Sequence, residues 1–135
     1  MTVSVDVDRL RRAIALFHAG RVEFIRLMCA EDIVWRVPHT HPLAADLIGV
    51  DAVMDFMRRV QKETRGTFSA EPIEMAVTGR SVFCLLRVSG QRGDRVLDQR
   101  AVLLWWLGED NKIRERELFM ENPAAADEFW SFDPV

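Results

Sequence analysis

The chain has 135 residues, with 18 Lys and Arg against 21 Asp and Glu and a formal net charge of −3. That length makes one domain, residues 1–135, with room for one sizeable core. The mildly acidic balance, without any basic block, argues against a nucleic-acid surface. The opening MTVSVDVDRLRR has no apolar signal core, and no apolar run approaches membrane length, so the expectation is a cytoplasmic protein without a membrane partner. Cys29 and Cys84 lie far apart with no metal-like spacing and read as two buried thiols. Tyrosine is absent, which removes one common hydrogen-bonding acid from any site.

Val5 to His18 places Leu10, Ile14 and Phe17 at helical spacing, with Asp6 or Asp8 as the cap. Gly20 breaks this helix, and a second, short one carries Phe24, Ile25, Leu27 and Met28. Asp32 to Pro38 reads as a strand with Ile33, Trp35 and Val37 on one side. Pro38 and Pro42 bracket an irregular turn holding His39 and His41. Gly49 to Arg65 is a third helix with Val53, Met54, Phe56, Met57 and Val60 as its apolar stripe, and Gly66 ends it.

From Thr67 the period changes to two. TFSAEPIEMAVTG is one strand, in which Pro72 marks an edge or a bulge. Gly79–Arg80 is a turn, SVFCLLRVSG the next strand, and Gly90–Gly93 the following turn. Val96 to Asn122 then forms two strands joined at Gly108–Asn111. The first of these is apolar at both parities, so both sheet faces are expected to be covered. Asn122–Pro123 starts a short terminal helix, with Asn as cap and Pro at the first helical position. Segregated helices and a sheet meander mean an α+β fold.

This order, with AEDIVWRVP, GVDAVMDFMRRV and GEDNKIRERELFMEN, resembles the nuclear transport factor 2-like superfamily. The branch it is most similar to holds the SnoaL-type, polyketide-cyclase-like and ketosteroid-isomerase-like proteins. The resemblance spans Leu10 to Phe129. It implies a cone-shaped curved antiparallel sheet wrapped against three helices, a cystatin-like α+β barrel, around a cavity. Members of that superfamily include isomerases, cyclases, epoxide hydrolases, dehydratases and plain binding proteins, so fold cannot stand in for function. Site by site, the isomerase base falls on Val37 and its second acid on Val102, and its tyrosine has no counterpart. The epoxide-hydrolase Arg falls on Arg87, but its acid positions fall on Ser89 and Leu118. The same alignment points Trp35, Val37, Phe83, Leu85, Arg87, Ser89, Asp98, Arg100, Val102, Leu104, Arg116, Leu118 and Met120 into the cavity.

On that assignment Asp98 and Arg100 share a strand face, with Arg87 and Arg116 beside them. Three Arg against one Asp leave positive charge over, which implies a ligand carboxylate, enolate or polarised carbonyl oxygen. Asp98, Arg100 and His39 are the candidate catalytic residues. Trp35, Val37, Arg87, Val102, Arg116, Leu118 and Met120 are the candidate substrate-binding residues. A second reading makes Asp98–Arg100 a surface ion pair. His39 suits proton transfer, but loop histidines are often plain surface residues, and His39-x-His41 without a third ligand is no metal site. His18 reads as a dipole partner at its helix end.

Trp105, with Leu97, Ala101, Leu103, Val82, Cys84, Leu86 and Phe119, is expected on the outer sheet face, where an apolar patch implies a homodimer. The expectation is therefore a small-molecule pocket protein. It is either a cofactor-free isomerase, cyclase or hydratase acting on a small apolar carbonyl or carboxylate compound, or a non-catalytic binding or dimeric scaffold domain. No cofactor and no metal is expected.

Overall fold

The helices follow from where their apolar residues recur. In α1 (Val7–His18), Leu10, Ala13 and Ile14 fall on one stripe and are buried. A six-residue α2 (Glu23–Met28) buries Ile25 and Met28. The stripe of α3 (Val50–Glu63) is Val50, Val53, Met54, Met57 and Val60. The last helix, α4 (Pro123–Trp130), has Pro at its start and Asn122 as cap, whose side chain accepts from the Ala125 N–H at 3.1 Å. These elements come from a computed structural model, which describes residues 7–18, 23–37 and 46–131.

The strands are β1 (Cys29–Arg36), β2 (Asp46–Ile48), β3 (Ser69–Thr78), β4 (Ser81–Arg92), β5 (Arg95–Leu107) and β6 (Ile113–Met120). They form one curved, unclosed sheet in the order β2-β1-β6-β5-β4-β3. The expected α+β architecture is present, with two additions. A short strand β2 pairs with β1. The sheet is also mixed: β1 runs parallel to β6, while the other neighbouring strands pair antiparallel. A meander of β3 to β6 leaves one edge of β6 open, and β1 fills it from the far end of the sequence.

Pro72 meets both halves of its expectation. It lies on β3 at the sheet edge, next to a register shift at which Ile73 is the extra residue. The β4–β5 turn falls at Gly93–Asp94, not at Gly90, because β4 continues to Arg92. Gly90 stays in the strand for a different reason: a Cβ there would stand 3.4 Å from the Phe68 Cα and 3.7 Å from the Phe129 ring.

One sheet face and the helices enclose the core. On β4 the buried residues are Val82, Cys84, Leu86 and Val88, and on β5 they are Leu97, Ala101, Leu103, Trp105 and Leu107. The terminal helix closes one side. Phe129 is buried, Trp130 packs edge-on to it at 4.8 Å, and the Arg92 guanidinium donates to the Phe129 and Ser131 carbonyls at 2.8 and 3.0 Å. At the other end of this helix the Gln99 side chain bonds the backbone N–H and C=O of Asn122. Replacing Asn122 with Ala is expected to lower stability by about 1 kcal/mol, read from the urea midpoint. An unchanged midpoint would show that Gln99 and Arg92 hold α4 without the cap.

Candidate functional site

Three neighbouring strands bring three large side chains into one row. Trp35 on β1 pairs in register with Arg116 on β6, and Arg116 pairs with Trp105 on β5. All three face the core and are 4, 9 and 6% exposed in that order. The Arg116 guanidinium lies over the Trp35 ring, 4.1 Å from its centroid, a cation–π contact. Its Nη1 donates to the Arg36 carbonyl at 3.3 Å. The Arg116 Nε has no hydrogen-bond partner among the described residues, and neither does the Trp105 indole N–H.

A buried cation normally has a counter-ion, because its desolvation is costly. Among the described residues no carboxylate stands within ion-pair distance of Arg116. Burial pushes its guanidinium down to about 9, so it still carries its charge at neutral pH. The group that opposes this is Cys29, but burial pushes that thiol up to about 12 despite the pull of Arg116. A neutral thiol supplies no negative charge. Among the described residues nothing compensates the positive charge.

Around it lies a cavity of about 590 Å³. All four helices and the inner sheet face line it, through apolar side chains such as Ile14, Phe56, Val60, Leu86, Leu103 and Trp130. Three carboxylate residues also contribute to its walls: Asp46, Glu117 and Asp127. Glu117 is engaged by Arg36 at 3.6 Å. Among the described residues no three His, Cys, Asp or Glu side chains cluster to hold a metal ion, and no helix is long and apolar enough to cross a membrane.

A cavity inside a curved sheet and helix shell is the arrangement the sequence resemblance implies, and comparison with known proteins bears on it directly. Residues 10–116 match the SnoaL-like domain model. The chain belongs to the SnoaL-like family. Over 132 residues it is 30% identical to the uncharacterized protein Rv0034 of Mycobacterium tuberculosis, covering 97% of this chain and 100% of that one. Among solved structures it is similar to Bal32a, from a soil-derived mobile gene cassette, with a TM-score of 0.86 and 24% identity over 92% of this chain and 95% of that one. It is also similar to TerC, crystallised with polyporic acid, with a TM-score of 0.75 and 18% identity over 91% and 95% of the two chains.

Within this SnoaL-like chain the expected site residues divide. Trp35, Val37, Arg116, Leu118 and Met120 line the cavity. Asp98, Arg100, Arg87 and Val102 do not face it; they lie on the outer face, as do Phe83, Leu85, Ser89 and Leu104, whose parity they share. The reason is a one-residue offset on β4 and β5, which turns every side chain to the opposite side. Apart from Arg92 and Arg95 beside the β4–β5 turn, the parity that goes inward carries no charge. Asp98 and Arg100 do not pair with each other. Asp98 meets Arg87 at 2.9 Å with both about half exposed, and the Arg100 Nε donates to Glu121 at 3.0 Å. Those hydrogen bonds raise the Arg100 pKa and lower that of Glu121. His39 and His41 lie outside the described residues.

The same offset corrects the outer patch. Leu97, Ala101, Leu103, Trp105, Val82, Cys84 and Leu86 are interior. The outer face exposes Phe119, as expected, and with it Phe83 and Val102. Trp105 and Cys29 are the site residues the sequence reading missed. An uncharged parity on β5 marks the first. Nothing local marks the second, since its position depends on β1 docking beside β6.

Both cysteines are buried, and burial raises the Cys84 thiol to about 11. At pH 8 neither forms thiolate readily. The native protein is expected to react with a disulfide reagent at neither thiol, and at both in denaturant. Fast labelling of one thiol in the native state would show that its site opens to solvent.

Proposed function

We propose that this SnoaL-like protein binds a small, mostly apolar compound bearing a carboxylate, enolate or polarised carbonyl oxygen, and that Arg116 grips that oxygen. One observation carries the reading: a charged guanidinium, buried in an apolar cavity, with no counter-ion among the described residues. A ligand oxygen supplies what the fold leaves out. TerC, a protein of the same fold crystallised with polyporic acid, supports an acidic ligand.

The family includes enzymes, and the corresponding activity is a cofactor-free isomerase, cyclase or hydratase. Arg116 would stabilise negative charge developing on a carbonyl oxygen. A proton-transfer step would draw on Asp46 or Asp127, carboxylates in the lining. A binding module that holds the same ligand unchanged uses the same contact, and analysis of the ligand after incubation separates the two.

Substituting Arg116 with Met tests the reading. Removing an uncompensated buried charge relieves a desolvation cost, so the ligand-free variant is expected to melt at or above the wild-type temperature. It is also expected to lose the thermal shift given by a panel of small carboxylic acids and ketones. A variant that keeps that shift would remove Arg116 from the site.

A homodimer through the outer sheet face is part of the same proposal. Phe83, Val102 and Phe119 are 40, 38 and 52% exposed there. The paired charges of Arg87–Asp98 and Arg100–Glu121 on one side, and of Arg36 with Glu115 and Glu117 on the other, give a second copy both signs of charge to meet. Light scattering is expected to give twice the chain mass for the wild type and the single mass for Val102→Glu. A monomeric wild type at micromolar concentration would end this part.

A further inference from the structure

The row Trp35–Arg116–Trp105 holds more information than the presence of one cation. Resting on the reading of the cavity as a ligand site, we infer that it selects monoanionic acids over neutral carbonyl compounds, with the Arg116 guanidinium and the Trp105 indole N–H closing on one ionised oxygen. Three observations lead there.

The first is position. Arg116 and Trp105 are directly opposed on antiparallel β6 and β5 and face the same way. Side chains so placed start from Cβ atoms roughly 4.5–5.5 Å apart. Two donors of this reach can bracket a single atom.

The second is the hydrogen-bond inventory. Buried donors are normally satisfied. Here two neighbours each keep an unpartnered N–H among the described residues, the Arg116 Nε and the Trp105 Nε1. The Trp35 ring takes the face of the guanidinium. Guanidinium N–H groups lie in its plane, so the stacking does not occupy them; protein atoms cover both unpartnered N–H groups here, and an oxygen reaches them once the side chains part. Both groups are donors only, so their common partner must be an acceptor.

The third is charge. Arg116 contributes one positive charge, and the adjacent Cys29 thiol is neutral. A neutral carbonyl leaves the cation uncompensated. A dianion carries its second charge into walls built mainly of apolar side chains, which is costly. Its second charge also meets Asp46 and Asp127 in the lining. A single negative charge on an apolar body balances the site.

The test uses 1-naphthoate and its neutral counterpart 1-naphthamide as probes, with calorimetry on the full chain. Wild type is expected to bind the acid at least about tenfold tighter than the amide. Trp105→Phe keeps a ring and removes the N–H. It is expected to weaken the acid about tenfold, the usual value of one hydrogen bond to a charged group, and to leave the amide unchanged. Equal affinity for the two probes in wild type, or an unchanged affinity for the acid in Trp105→Phe, overturns the inference while the cavity reading stands. Neither probe binding wild type overturns the cavity reading, and the inference with it. Proton–nitrogen NMR of wild type gives the same answer without a variant. Of the four tryptophan indole N–H signals, one should move downfield with the acid and stay in place with the amide. No movement with bound acid overturns the inference.

Discussion

A guanidinium stacked on an indole and enclosed by apolar walls sets the terms for the rest of this molecule. Arg116 keeps its charge at neutral pH although it is buried. The fold offers it the Trp35 face and one backbone carbonyl. Both are weak compensation for a charge removed from water. The helices around it then have a particular task. They keep water from the charge, as a core would, yet leave about 590 Å³ unfilled beside it. Native interiors rarely leave that much space, which sets this region apart from a packed core.

The two faces of the sheet treat charge in opposite ways. Outside, charges come in pairs: Arg87 with Asp98, Arg100 with Glu121, and Arg36 with Glu115 and Glu117. Those groups keep contact with water, so the pairs hold little energy and serve mainly to keep an otherwise apolar surface soluble. Inside, the buried Arg116 has no carboxylate partner among the described residues, and a charge in apolar surroundings exerts a stronger field than one at the surface. The same residue type has two uses, and the strand parity decides which.

Much of this was readable in the sequence. Apolar spacing gave the helices, and the switch to period two at Thr67 gave the meander. Trp35, Val37, Arg116, Leu118 and Met120 were correctly pointed inward because β1 and β6 carry recognisable motifs of the superfamily. The error lay on β4 and β5. Both are apolar at both parities, so periodicity could not choose a face, and the family alignment supplied the wrong one. A physical criterion was available in the same residues. Val82, Cys84, Leu86, Val88, Leu97, Ala101, Leu103 and Trp105 carry no charge, whereas the opposite parity includes Arg87, Asp98 and Arg100. Desolvation favours burying the first set. The β1–β6 pairing was not legible, since strands so far apart in sequence leave no local trace of each other.

That pairing has a consequence for how the polypeptide matures. Trp35 and Arg116 are registered partners, and roughly eighty residues separate them. On the ribosome, at about 5–20 residues per second, Ile33 and Trp35 emerge several seconds before the strand that receives them exists. Until then only the three-residue β2 is there to pair with β1. The wall that carries Trp35 and Arg116 is complete only after β6 has left the exit tunnel and β1 pairs with it.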